Sequence, residues 1–299
     1  MEKRPPVSLY LVATPIGNLG DLSPRAAKTL EEADFIAAED TRNTLKLLNH
    51  IGVKKPLVSY FEHNRRERGE EICARLLNGE VCALVTDAGT PAISDPGEEL
   101  VARCHELGLG VSAIPGPCAL IAALAVSGLP TGRFSFEGFL STNGKTRREH
   151  LALAAKSPYT LIFYEAPHKL KRTIIDLYKA LGDRRLTLAR ELTKLHEEII
   201  RTTLAKAVSL YEDTKPRGEY VLVVEGRPQT PRQDESSVMQ EALNMARDYL
   251  EKGVSKSEAV RLACARTGAR KNELYRLIAA MDAPKQEKAE KGGDSPCPR

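Results

Sequence analysis

Short apolar runs recur along this chain, each closed by a polar corner and followed by a stretch of helical periodicity. The first runs are Val7–Val12, Phe35–Ala38, 56–59, 81–85 and 111–114, and none carries a charge. Uninterrupted apolar runs of this length read as strands buried on both faces, and their alternation with helices predicts a parallel α/β sheet. Ser23 and Pro24 read as the N-cap and first residue of a helix running to about Glu32. The charged helix expected over 64–78 turns Ile72, Ala74, Leu76 and Leu77 inward. The next helix, 97–107, opens at Pro96, and an Ala/Leu-rich buried helix runs to Val126.

A turn cluster at 127–132 precedes a second α/β unit. Its strands are expected at 134–137 (an edge strand), 160–164, 186–189, 197–202 and 220–224, with a flexible loop at 138–146 and a helix to Ala180. Residues 227–233 contain two prolines and read as a linker. A helix follows at 238–250. The next has Ser255 and Glu258 as a capping box, and a last helix follows the Thr267-Gly268 turn. Helix, short glycine turn, helix is helix-turn-helix-like. Beyond Pro284 the chain is rich in Lys, Glu, Gly and Pro, the composition of a disordered tail. The expected organisation is two α/β domains, 1–128 and 129–226, a helical domain 227–284 and a tail 285–299.

Composition narrows the function classes. A length of 299 residues suggests about two domains. Forty-four basic against 40 acidic residues leave a net charge of +4, which permits an anionic partner without demanding one. The six cysteines form no C-x-x-C pair and read as reduced, in a cytosolic protein. No His/Cys group has metal-ligand spacing, so no metal is expected. Residues 1–6 do not resemble a signal peptide, and no apolar run approaches the roughly 18 residues of a membrane span.

The stretch 84–97, LVTDAGTPAISDPG, is the richest in candidate chemistry. A strand-to-helix turn ordinarily needs about 2–6 residues, and this one is longer. Gly89 and Gly97 permit close backbone approach or positive φ. Pro91 and Pro96 stiffen the path, and Asp87 and Asp95 can cap, accept hydrogen bonds or face a cation. Ligands of open α/β sheets sit at this carboxyl edge.

Other corners repeat the theme. Residues 13–25 contain Gly17 and Gly20, but match G-x-G-x-x-G too poorly for a standard dinucleotide site. Glu39-Asp40-Thr41-Arg42 supplies either site groups or a helix N-cap with a local ion pair, and both can hold. His63 stands in a polar, aromatic corner, but a lone histidine there reads sooner as a helix-start residue than as a general base. Pro115-Gly116 exposes backbone N–H groups before a helix. Together these loops predict one crevice assembled from several strand ends. In the second unit, the charged corners 165–169, 190–194 and 216–219 either meet that crevice or are solvated turns. Residues 252–276 carry seven Lys/Arg and two Glu, an excess of 7 − 2 = +5, which reads as a phosphate-binding face or as the solvated face of a small bundle.

Seven motifs, taken together, resemble a known superfamily. They are VATPIGNLGD (12–21), AEDTR (38–42), GTPAISDPG (89–97), IPGP (114–117), YEAPH (164–168), ARELTK (189–194) and GEY (218–220). The chain resembles the tetrapyrrole-methylase superfamily of S-adenosylmethionine enzymes and, within it, the ribosomal small subunit methyltransferase I family. The resemblance covers residues 7 to about 226, and the helical region is more loosely similar to the extra C-terminal domain of this branch.

That resemblance implies two α/β domains of tetrapyrrole-methylase type with the cofactor cleft between them, plus a small helical C-terminal domain. It implies methyl transfer from S-adenosylmethionine to the ribose 2′-hydroxyl of a cytidine in the decoding region of 16S rRNA. The substrate would be the small ribosomal subunit and the enzyme a cytoplasmic homodimer. Cofactor contacts are implied for Thr14, Pro15, Gly17, Asp87, Gly89, Thr90, Pro91, Ile93, Ser94, Pro115, Gly116, Cys118 and Ala119 in the first domain. In the second they are implied for Tyr164, Glu165, Ala166, Arg190, Gly218, Glu219 and Tyr220.

A ribose hydroxyl is a weak acid, so a proton acceptor would help; Asp40, His63 and Glu165 are candidates, with Arg42 orienting phosphate or carboxylate. Other branches methylate carbons and nitrogens, so no base transfers by motif. Lys256, Arg261, Arg266, Arg270, Lys271 and Arg276 are candidate RNA contacts. Two alternatives stay open: methylation of another RNA or a small molecule, and a non-catalytic ribosome-binding protein that keeps the cleft as a remnant. The intact run of cleft motifs favours the enzyme.

Overall fold

The computed structural model describes residues 6–228 and 235–281. They divide into two compact units, with the boundary after Pro228. The tail 285–299, with Cys297, lies outside the described residues.

The first sheet holds β1 (Val7–Val12), β2 (Phe35–Ala38), β3 (Leu57–Ser59), β4 (Cys82–Val85) and β5 (Gly110–Ile114). All pairings are parallel, in the order β3-β2-β4-β1-β5. Successive side chains on a strand point to opposite faces, so each strand feeds two cores. Phe35, Ala37, Cys82 and Leu84 pack with α3 (Arg65–Leu77) and α4 (Glu98–Glu106). Ile36, Ala38, Ala83 and Val85 pack with α1 (Pro24–Glu32) and α2 (Thr41–His50). Burial on both faces is why these strands read as continuous apolar runs.

The second sheet is mixed, in the order β6-β7-β10-β8-β9, from β6 (Phe134–Phe139), β7 (Thr160–Glu165), β8 (Arg185–Arg190), β9 (Glu198–Thr203) and β10 (Tyr220–Val224). Only the β6–β7 pair is parallel. One face packs on α6 (Gly144–Ala154), α7 (Pro167–Leu181) and α8 (Leu204–Leu210) through residues such as Phe163, Leu188 and Leu222. The other packs Ile162, Ala189, Val221 and Val223 against α5 (Ala119–Ser127). Thus α5 follows the first sheet in sequence but covers the second. Its end is tied there by Thr187 Oγ1, which donates to the Ser127 carbonyl at 3.0 Å.

Several local expectations need correction. Pro96 is not the first residue of α4; Gly97 is its N-cap with φ 147° and the helix starts at Glu98. The buried face of α3 is Gly69, Ile72, Cys73 and Leu76, while Ala74 and Leu77 face solvent. The phase of the stripe slips because Cys73, not Ala74, meets the core beside Cys104. β6 continues to Phe139 and α6 begins at Gly144, which shortens the loop expected at 138–146. α8 lies between β9 and β10, where no helix was expected.

The helical unit comprises α9 (Glu235–Glu251), α10 (Lys256–Thr267) and α11 (Lys271–Met281), closed around Ala242, Ala246, Val260, Ala263, Leu274 and Ile278. Ser255 is the N-cap of α10, but its side chain makes no capping bond. The Glu258 carboxylate is instead held by the Arg261 guanidinium at 2.6 and 3.0 Å, a charge-assisted pair that outcompetes the capping box.

Candidate active site

In the first sheet the loops after β1, β2, β4 and β5 converge at the carboxyl edge. Thr14, just past β1, exchanges backbone hydrogen bonds with Gly89 at 2.8 and 3.0 Å. Its hydroxyl donates to the Thr86 carbonyl at 3.2 Å. Gly89 has φ 90° and is buried, and a Cβ there would stand 3.4 Å from Ile16 Cγ2. Thr90 Oγ1 donates to the Pro117 carbonyl at 3.1 Å, joining the β4 and β5 loops.

In the second sheet the ends of β7, β8 and β10 face the same space. Lys194 Nζ bridges Glu191 Oε1 at 2.9 Å and Glu219 Oε2 at 2.8 Å. Glu191 Oε1 also accepts the Glu219 amide at 2.9 Å, so the 189–194 and 218–220 segments are locked together. The Tyr164 hydroxyl oxygen accepts the Leu120 amide at 3.1 Å and closes the open N-terminus of α5. Its ring is edge-on to Phe136 and Phe139, and burial holds the phenol up at about 12.

Among the described residues, the non-glycine positions with positive φ are Ala92 (65°), Ser94 (71°), Glu191 (50°) and Thr193 (66°). All four lie in two loops, one from each sheet, and those loops flank one cavity. Backbone strain of this kind costs of order 1–3 kcal/mol per residue and persists where surrounding structure enforces it. The cavity encloses about 430 Å³.

The sequence-predicted residues divide into lining and support. Asp87, Gly89, Thr90, Ile93, Ser94, Cys118, Ala119, Tyr164, Glu165, Ala166, Glu219 and Tyr220 line the cavity. Thr14, Pro15, Gly17, Pro91, Pro115, Gly116, Arg190 and Gly218 do not. Several of these set backbone spacing behind the wall. A Cβ on Gly116 would meet Ala13 Cβ at 2.9 Å, and one on Gly218 would meet Glu191 Cγ at 2.4 Å. Arg190 is drawn aside by Glu198 at 2.9 Å.

Ile16, in the 14–17 loop expected at the cofactor, lines the cavity; Glu39, Thr86, Asp95, Phe139, Leu192 and Lys194 line it without having been assigned to it. All but Phe139 sit inside motifs already singled out. Phe139 had no signal, because it sits where a flexible loop was expected.

The candidate proton acceptors are placed very differently. Asp40 caps α2 through the Arg42 amide at 2.8 Å and holds the Arg42 guanidinium at 3.0 and 2.7 Å. Those bonds hold its carboxyl down at about 2. Neither residue lines the cavity, and the cap with its local ion pair is what forms. His63 is exposed, edge-on to Phe61, and lines a separate depression with Asn64, Arg66, Glu67 and Glu70. Glu165 does reach the cavity, but it accepts from the Thr173 hydroxyl and from the Ala166 amide at 2.9 Å. Thr173 is in turn held by Arg147 at 2.9 Å.

A second group of carboxylates stands at the first-sheet edge. Glu39 Oε2 accepts the Thr86 hydroxyl at 2.6 Å and the Asp87 amide at 3.3 Å. Burial, then the neighbouring Glu39 charge, raises Asp87 and lifts Asp95 to about 6.

In the helical unit, Arg261, Arg266, Arg270, Lys271 and Arg276 are exposed, Lys256 is half-buried, and Arg261 is paired with Glu258. Among the described residues no helix is long and apolar enough to cross a membrane, and no cluster of His, Cys, Asp and Glu has a metal-binding arrangement.

Residues 8–208 match the family model of the tetrapyrrole (corrin/porphyrin) methylases. A Synechocystis protein named ribosomal RNA small subunit methyltransferase I is 50% identical over 92% of this chain and 98% of its own length. Its Pseudomonas aeruginosa namesake is 46% identical over 90% and 95%. Among solved structures, uroporphyrin-III C-methyltransferase of Thermus thermophilus, crystallised with S-adenosyl homocysteine, covers 73% of this chain and 96% of its own with a TM-score of 0.52 at 20% identity. A cobalt precorrin-4 methyltransferase covers 72% of this chain and 93% of its own with a TM-score of 0.53 at 19% identity, and like the former it speaks to the fold alone. The chain therefore belongs to the tetrapyrrole methylases, a family of S-adenosylmethionine-dependent methyltransferases, and within them to the ribosomal RNA small subunit methyltransferase I group.

Proposed function

We propose that this protein methylates the ribose 2′-hydroxyl of a cytidine in 16S rRNA, with S-adenosylmethionine held in the cavity between the two sheets. The observation that carries the reading is the position of that cavity. It lies between two loops of strained backbone, one from each sheet, that bear the family motifs. The relatives' shared name supplies the rRNA substrate.

The residues present fit the cofactor. A volume of about 430 Å³ is in the range of small-molecule sites. Ile16, Ile93, Leu192 and Val221 offer an apolar wall for a purine, and Asp87 accepts from hydroxyl or ammonium donors, while Lys194 and Glu219 enter the wall as an ion pair. When bound, S-adenosylmethionine supplies a methyl carbon activated by its sulfonium sulfur. The chain's contribution is to hold and orient. In-line transfer needs reacting atoms about 3–3.5 Å apart, and locked loops lower the entropy cost of that alignment. The acceptor nucleotide has to be splayed from its stack to enter such a site. The basic helical unit contributes phosphate contacts. The same reading includes a homodimer, for which sedimentation velocity is the check, and a cytoplasmic location alongside the ribosome.

The test is methyl transfer. Small subunits lacking the modification are incubated with labelled S-adenosylmethionine and the protein, then digested and analysed by mass spectrometry. Label on a single ribose-methylated cytidine supports the reading. Cofactor binding without transfer points to another acceptor. Neither binding nor transfer leaves a non-catalytic ribosome-binding protein.

A further inference from the structure

A second cavity of about 500 Å³ opens beside the first and shares Glu39, Ser94 and Asp95 with it. Its far wall is the corner after β3 and the start of α4. Glu62, Glu98 and Glu99 line it with a single cation, Arg65, already paired with Glu62 at 3.1 Å and Glu99 at 3.2 Å. Such a wall accepts hydrogen bonds from neutral donors.

One buried donor in this cavity lacks an acceptor. Tyr60 is 1% exposed, and its hydroxyl proton has no acceptor, although the Leu100 amide lies close to the oxygen. Burial, then the Glu99 charge, pushes the phenol up to about 12, so it stays protonated and can donate to a ligand. The cavity therefore offers several carboxylate acceptors and, in Tyr60, a buried donor whose proton is unused. A cytidine within RNA has the opposite set: its 2′-hydroxyl and exocyclic amine donate, and ring acceptors stand beside the amine. Carboxylates are suitable acceptors for that amine, which uridine lacks.

Building on the proposed reaction, we infer that this second cavity receives the flipped acceptor cytidine, and that Asp95, on the wall between the cavities, takes the proton of its 2′-hydroxyl. The hydroxyl oxygen forms its bond to the methyl carbon as the carbon–sulfur bond breaks. Sulfur keeps that electron pair, and the proton passes to the Asp95 carboxylate and then to water. Glu39 is less suited to this role, because its Oε2 accepts the Asp87 amide as well as the Thr86 hydroxyl, whereas at Asp95 the Thr86 hydroxyl is the one donor felt. Asp95 is surrounded by Glu39 and Asp87 at the strand ends, Glu62 and Arg65 near the start of α3, and Glu98 and Glu99 on α4. The Thr86 hydroxyl partly offsets the upward push of burial and of the Glu39 charge.

The inference is tested in two ways. First, single-turnover transfer to small subunits is measured across pH for wild type, Asp95→Asn and Asp95→Glu, with S-adenosylhomocysteine affinity measured by calorimetry. The expected result for Asp95→Asn at saturating cofactor is a rate at least about 100-fold lower and loss of the ascending pH limb, with partial rescue by Asp95→Glu. An Asn variant with an unchanged rate and pH limb overturns the assignment of Asp95.

Second, cytidine and uridine are titrated into protein loaded with S-adenosylhomocysteine, followed by NMR. Cytidine is expected to shift the signals of Tyr60, Glu62 and Glu98, to do so more strongly than uridine, and to bind several-fold more weakly to Tyr60→Phe. No shift at these residues, or equal binding of both nucleosides, overturns the pocket. The two failures are separable from failure of the proposed reaction. Wild-type product analysis alone decides whether a cytidine ribose is methylated, and nucleoside binding is read without turnover.

Discussion

Thr14 and Gly89 exchange two backbone hydrogen bonds across the end of the first sheet, an antiparallel bridge between loops that follow parallel strands. The bridge fixes the cavity's first-sheet wall and needs Gly89 at φ 90° with Ile16 beside it. Gly89→Leu is expected to abolish S-adenosylmethionine binding in calorimetry. The fold should remain, with a stability loss of about 1–3 kcal/mol in denaturant titration. Wild-type affinity in that variant would remove the loop from the cofactor site.

Stability should carry the imprint of Asp95. Its carboxyl is raised from 3.8 to about 6 in the folded chain, chiefly by burial, so the folded state holds a proton that the unfolded state has lost. Between these values stability falls as pH rises, because the unfolded chain binds fewer protons. Asp95→Asn lacks this titration. The difference in thermal midpoint between the variant and wild type should grow in the variant's favour from about pH 4 to about pH 6 and then level off. A pH-independent difference would show that Asp95 titrates normally.

Glu165 is buried and depends on Thr173 for a hydrogen bond that Arg147 orients. Thr173→Val keeps the side-chain shape and removes the donor. Leaving a buried acceptor unsatisfied costs about 1–3 kcal/mol, to be read from the urea midpoint. Thr173→Ser should recover most of it. Equal stability of Val and wild type would mean that Glu165 finds another donor.

The helical unit presents Arg266, Lys271 and Arg276 to solvent. If they read phosphates, replacing all three with Ala weakens binding to small subunits. It also flattens the slope of log affinity against log salt by about 0.7 for each phosphate no longer neutralised. Cofactor affinity should be unchanged. An unaltered salt slope would make these residues an ordinary solvated face.

Much of the architecture could be read from local pattern. Doubly buried strands such as Phe35–Ala38 must be apolar throughout. Ser23-Pro24 and Asp40 mark helix starts through their own side chains and ring geometry. The motif loops at 89–97, 189–194 and 218–220 were visible because strained, close-packed backbone restricts which residues can stand there. What stayed hidden depended on partners distant in sequence. Nothing in 119–127 says that α5 leaves its own sheet, since a helix apolar on all sides fits either one. Phe139 gains its place only because β6 pairs with β7 beside Tyr164. Asp40 and Asp95 are the same residue type in the loops that follow two neighbouring strands, β2 and β4. An adjacent guanidinium holds one at about 2, while burial beside another carboxylate raises the other to about 6. The sequence alone determined the strands, the loops and the family they resemble, because those follow from short-range sterics and burial patterns. Tertiary structure decided which acids face the cavity and in what state, because solvation and charge proximity exist only once distant loops meet.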